Sequence, residues 1–145
     1  MLLDEILDEW DRDADIDEVN LDKSALGAAK IHAKYLRYYT SYRAKKTALQ
    51  IEYDTMRQIR FRYYRGELTQ AELKEYQWDQ WQGVKPLKNE AGELLNGDSY
   101  LNKIKAKIEY TTIILDTLQA ILKEINGRNW MIKNAIQWKL FIAGE

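Results

Sequence analysis

Apolar residues return at steps of three and four along most of the chain, the spacing that lines one face of a helix. Between Asp22 and Arg65 the series is Ala28, Ile31, Tyr35, Tyr38, Tyr42, Leu49, Met56, Ile59 and Tyr63, interrupted by Lys45 and Glu52. One long helix is predicted there. At 1.5 Å per residue it would reach about 60 Å, more than a single compact domain of this size encloses, so part of it is expected to be exposed or bound to another chain. Gly66 stops this helix, and Thr69-Gln-Ala-Glu72 has the form of a capping box that starts a short second helix carrying Trp78 and Trp81. Residues 83–97 read as a loop. Asp98 or Ser99 then caps a third helix whose seam, Leu101, Ile104, Ile108, Thr111, Leu115, Leu118, Leu122 and Ile125, runs unbroken. Asn126-Gly127 is predicted to end it, and Asn129 to open a final helix with Trp130, Ile132, Ile136, Trp138, Leu140, Phe141 and Ile142. Its apolar residues go almost all round, which predicts burial between other helices.

The expected fold is therefore all-α, a long N-terminal helix followed by shorter ones in a single helical domain. Its parts are an acidic segment over 1–22, a basic and aromatic helix over 22–66, a short helix and loop over 67–97, and a helical hairpin for assembly over 98–145.

Composition agrees with helices: of 145 residues one is Pro, seven are Gly and 46% are apolar. The absence of Cys excludes disulfides, thiol nucleophiles and Cys-containing metal sites, and one His, His32, makes no metal-binding cluster. His32 adjoins the seam residue Ile31 and reads as structural or surface-lying. No phosphate-binding glycine loop occurs, and the carboxylates Asp4, Asp8, Asp11 and Asp15 read as the wet face of a helix, without the order of a calcium loop. Neither an enzyme nor a cofactor is expected. The N-terminus is acidic where a targeting signal would be basic, and no apolar run has the length of a membrane span, so a soluble intracellular protein without a membrane partner is expected.

Charge separates the segments more than the net value of -1 shows. Residues 1–22 hold ten acids and Arg12 alone, a net of -9; residues 23–65 hold eleven Lys and Arg against Glu52 and Asp54, a net of +9. Only this second block is a candidate surface for a polyanion. Within it a second stripe steps by fours and threes: Tyr39, Arg43, Lys46, Gln50, Tyr53, Arg57, Arg60 and Tyr64. Phe61, Arg62 and Arg65 widen its end. Guanidinium groups bind phosphates through paired hydrogen bonds and aromatic rings stack on unpaired bases, so the mixture suits a single strand. Arg43, Lys46, Arg57, Arg60, Phe61, Arg62, Tyr64 and Arg65 are the candidate contacts to such a strand, with Tyr64 foremost among the rings. A solvated basic face answering the acidic N-terminus is the other reading of the same stripe. For the C-terminal part, Leu115, Leu118, Leu122, Ile125, Trp138 and Phe141 form the candidate assembly surface.

Ile16-Asp17, Leu21, Arg60-Phe-Arg-Tyr-Tyr-Arg-Gly66, Leu115-Asp116, Ile125 with Arg128, and Phe141-Ile-Ala-Gly-Glu145 together resemble the UvsY family, recombination mediators of T-even-type bacteriophages. The likeness covers most of the chain and is weak between Glu67 and Asp98. It implies a non-enzymatic protein that forms a ring-like homo-oligomer in the cytoplasm of the infected bacterial host. It also implies binding to single-stranded DNA and help in loading a RecA-like recombinase onto DNA covered by single-strand-binding protein. The family's DNA-binding motif is Lys-x-Arg before Tyr-Tyr; its Arg corresponds to Arg60, and its Lys position is Gln58. The family's C-terminal self-association region corresponds to the seam and last helix. The alternative is a coiled-coil structural or adaptor protein with no nucleic-acid binding.

Overall fold

The computed structural model describes residues 2–15 and 21–144, without the side chains of residues 21, 22, 24, 25 and 129. Ile16-Asp17, the side chain of Leu21, Glu145 and the cap assigned to Asn129 lie outside the described residues. Five helices follow one another: α1 (Leu3–Asp13), α2 (Leu21–Tyr64), α3 (Gln70–Tyr76), α4 (Ala91–Asn96) and α5 (Ser99–Ile142). No strand occurs among the described residues.

The long helix α2 ends where Gly66 takes a positive φ of 69°. The Gly66 N–H donates to the carbonyl of Tyr63 at 3.0 Å and the Glu67 N–H to that of Arg62 at 2.9 Å, the pair of bonds that closes a helix through a left-handed residue. The box at Thr69 also forms: its hydroxyl accepts from Glu72 N–H at 3.1 Å while Glu72 accepts from Thr69 N–H at 3.2 Å. However, α3 stops at Tyr76 because Gln77 turns left-handed at φ 58°, so Trp78 and Trp81 lie beyond the helix that was expected to carry them. Likewise residues 83–97 are not all loop, since α4 occupies their end.

The expected hairpin over 98–145 is replaced by one helix. Ile125, Arg128 and Ile132 are all buried and continue the three-four seam straight through Asn126-Gly127. Continued packing outweighs the roughly 1 kcal/mol that a glycine takes from a helix interior. Nothing approaches within 4 Å of a Cβ built on Gly127.

The chain divides into two compact units, Met1–Ala44 with Thr112–Glu145, and Lys45–Thr111. Helices of 44 residues are too long for one core to line, and α2 and α5 each contribute to both units. The first unit's core gathers Ile6, Tyr35, Tyr42, Ile114, Leu115, Leu118, Ile121 and Ile125, with Trp10 and Leu122 against it. Here α1 is anchored from both faces. Ile6 is wholly buried, Lys34 pairs with Glu9 at 2.7 Å and with Asp13, and Tyr35 donates to Asp13 at 2.9 Å. Arg128 completes the dock, donating to the carbonyls of Asp13 and Asp15, both at 2.6 Å. The acidic N-terminal segment is thus a packed helix as far as it is described, with Asp4, Asp8 and Asp11 on its exposed side.

The second unit packs Tyr64, Leu95 and Leu101 together, with Tyr53, Met56, Phe61, Tyr63, Trp81 and Leu94 around them.

Candidate nucleic-acid interface

The end of α2 was the foremost candidate, and there the structure sorts the basic residues by depth. Arg60 turns inward. Its Nε donates to Asp98 Oδ2 at 2.7 Å, and Tyr64 Oη donates to the same oxygen at 2.6 Å. Asp98 uses its other oxygen to cap α5, accepting from Leu101 N–H at 3.0 Å. The guanidinium lies against four rings, with centroids of Tyr63, Trp78, Tyr100 and Tyr64 at 4.3, 4.5, 4.6 and 5.1 Å. Such contacts are strongest where water is excluded, and the side chains of Arg60 and Asp98 are 8% and 0% exposed. Burial pushes the Asp98 carboxyl up, but the hydrogen bonds from Tyr64, the Leu101 amide and Arg60 outweigh it and hold the group below the usual carboxylate range. Burial and the bond to Asp98 raise the Tyr64 phenol.

Arg60 and Tyr64, expected as strand contacts, lie in the interior of the second unit. Their helical stripe was read properly, but a buried acid from a distant segment claims both. The sequence offered Asp98 or Ser99 as the helix cap and gave no sign of the partners of Asp98. Trp78 and Tyr100 were missed as well, although Asp98-Ser99-Tyr100 places a ring beside the capping acid.

The other candidates lie nearer the surface. Arg57 is exposed and makes no ion pair among the described residues. Arg62 forms a two-pronged pair with Glu72 at 2.9 and 3.0 Å, which raises the guanidinium's pKa and lowers that of Glu72. Arg65 pairs with Glu67 at 2.9 Å and lies 5.8 Å from the Phe61 ring. Phe61 is half-buried against the second unit's core. Lys46 is half-buried; Arg43, in the first unit, is exposed and lies 6.0 Å from the Tyr39 ring.

The candidate assembly residues also divide. Leu115, Leu118 and Ile125, expected on an intersubunit seam, are buried in the first unit's own core, with Leu122 packed against them. Trp138 and Phe141, by contrast, are 61% and 71% exposed in the protomer and stack on each other with centroids 5.6 Å apart. Trp130, Met131, Leu140 and Ile142 are exposed along the same part of α5.

The family described as recombination, repair and ssDNA binding protein UvsY matches this chain over residues 9–145. The chain belongs to the UvsY family. The recombination protein uvsY of Enterobacteria phage T4 is 23% identical over 145 residues, covering 100% of both chains. Crystal structures of the bacteriophage T4 recombination mediator protein UvsY share the fold. One has a TM-score of 0.85 at 22% identity, covering 99% of this chain and 98% of the other. A second, in a different lattice, has a TM-score of 0.82 at 21% identity, covering 94% and 98%. The UvsY family is one of recombination, repair and single-stranded DNA binding. No helix among the described residues is long and apolar enough to cross a membrane.

Proposed function

We propose that this chain is a single-stranded DNA-binding recombination mediator that acts without catalysing a reaction. It helps a RecA-like recombinase replace single-strand-binding protein on DNA during phage recombination in the infected host's cytoplasm. The observation that carries the reading is the family match across residues 9–145. The geometry supports it through Arg57, which is exposed at the end of α2, with Lys46 in the same unit as a further phosphate contact. Arg62 and Arg65 join them by exchanging Glu72 and Glu67 for phosphate. The Arg62 side chain is 42% exposed, and a pair so near the surface contributes little stability, so the exchange is easiest there. Phe61 lies beside Arg65 as a ring for a base. Arg60 and Tyr64 support this surface from beneath.

The same reading takes a homo-oligomer, with Trp138 and Phe141 on its contact surface because they are large, apolar and uncovered in the protomer. Repeating a weak basic patch around an assembly raises the effective concentration of contacts. Binding to dT oligonucleotides should then strengthen with strand length and weaken with salt. Length-independent or absent binding would return the protein to the adaptor class.

A further inference from the structure

The ring of Tyr100 that covers Arg60 is also the first residue of a stripe on α5. Tyr100, Lys103, Lys107 and Tyr110 follow at steps of three, four and three, which keeps all four within about 80° of the helix surface. They span about 15 Å of helix. Tyr100 and Tyr110 are 40% and 42% exposed; Lys103 and Lys107 are exposed and make no ion pair among the described residues. The stripe contains no acid. Its C-terminal half, Lys107 and Tyr110, borders a groove of about 500 Å³ lined also by Lys45, Leu49, Ala106 and Thr111, all within the second unit. On α2 the heptad from Lys45 arrives at Glu52, so the cationic run continues on α5 and not along α2.

Tyr100 is held in advance of any ligand. Arg60 lies 4.6 Å from its centroid and Trp78 5.1 Å away at a tilt of 58°, and Trp78 is itself stacked on Tyr76 at 4.6 Å. A ring fixed on one side and open to solvent elsewhere loses little freedom when a flat group stacks on it. Rings at both ends of a run with two cations between them match a chain that alternates bases and phosphates. About four stacked nucleotides fit its length at 3.4 Å each.

We propose that Tyr100, Lys103, Lys107 and Tyr110, with Lys45 beside them, form a contact track for single-stranded nucleic acid. The tyrosines stack on unpaired bases and the lysines meet phosphates. This rests on the single-strand-binding reading above and places part of the strand on α5, away from the motif at the end of α2. A second copy of the chain is a poorer occupant, because two lysines in the centre of the stripe repel a like surface and offer little apolar area.

The test uses the full chain with a dT oligonucleotide and with the same strand carrying abasic sites. Lys103→Ala with Lys107→Ala should lower the logarithmic salt slope by about 1.4, at about 0.7 for each phosphate on a single strand. Tyr100→Leu and Tyr110→Leu should each weaken binding to the intact strand by about five- to 150-fold, have little effect on the abasic strand, and be rescued by Phe. Melting and sedimentation establish that each variant stays folded and assembled. Wild-type slope and affinity in all of them, while Arg57→Ala lowers the slope, would overturn the α5 track and leave single-strand binding standing. Equal losses on intact and abasic strands would overturn stacking, and a change of mass in the lysine variant would make the stripe a subunit interface. Failure of the wild-type protein to bind would remove the parent reading instead.

Discussion

Arg60 and Asp98 form a buried ion pair, Nε to Oδ2 at 2.7 Å, that joins the end of α2 to the cap of α5. Removing one partner of such a pair strands the other charge away from water. Arg60→Ala should therefore lower unfolding free energy by about 3–5 kcal/mol, measured by urea denaturation. Arg60→Lys should recover only part of the loss, since an ammonium cannot match a planar group lying against four rings. For the variant that remains folded at low temperature, the salt slope of strand binding should equal that of wild type, because no phosphate contact has been removed. A slope lowered by about 0.7 would place Arg60 on the strand after all.

Stability should fall in acid for a reason shared by both units. Asp98 and Asp13 each have a folded pKa below their ordinary value: burial opposes it, and the bonds from Tyr64, the Leu101 amide and Arg60, or from Lys34 and Tyr35, prevail. A depressed carboxyl contributes stability that is present above its unfolded pKa, about 3.9, and is lost as pH falls through the folded one. Melting temperature should thus be steady from neutrality to about pH 5 and then decline. Asp98→Asn should start lower and decline less, a difference that thermal melts at pH 7 and pH 3 will show. At the alkaline end Lys34, whose pKa its bonds to Asp13 and Glu9 raise against burial, contributes stability below its unfolded pKa that is lost as pH rises through the folded value.

Leu118 and Trp138 should separate folding from assembly. Leu118 is wholly buried in the protomer, so Leu118→Ala should cost about 2–5 kcal/mol of stability, and Leu118→Asp should unfold the first unit. Trp138→Ser with Phe141→Ser should leave melting of the dilute protomer nearly unchanged and reduce the mass in sedimentation. An unchanged mass would remove these two from the assembly surface.

Gly127 lies in the interior of α5 with open space around it. Gly127→Ala should stabilise the protein by about 0.4–1 kcal/mol, chiefly by restricting the unfolded chain. Destabilisation in a chemical melt would mean that this stretch bends or breaks in solution as the Asn-Gly pair first suggested.

The two long helices were legible because a three-four repeat is a property of the chain alone: whichever surface it meets, a helix with that spacing has one face to bury. The stop at Gly66 and the box at Thr69 were legible for the same reason, since their hydrogen bonds close within a few residues. Local signals of that kind misled at Asn126-Gly127, where Ile125, Arg128 and Ile132 had buried partners to gain by remaining helical. Which face of the α2 stripe reached solvent was another matter. Arg57, Arg60 and Tyr64 share one arc of the helix and look alike in sequence, yet Asp98, 38 residues beyond Arg60, draws two of them inside and leaves the third exposed. The same distinction governs α5, whose seam at Leu115, Leu118 and Ile125 announced burial but not whose core it would fill. Periodicity and capping are local and so were fixed by the sequence itself; the partner of a buried charge and the owner of an apolar seam depend on contacts between distant segments, which only the folded chain selects.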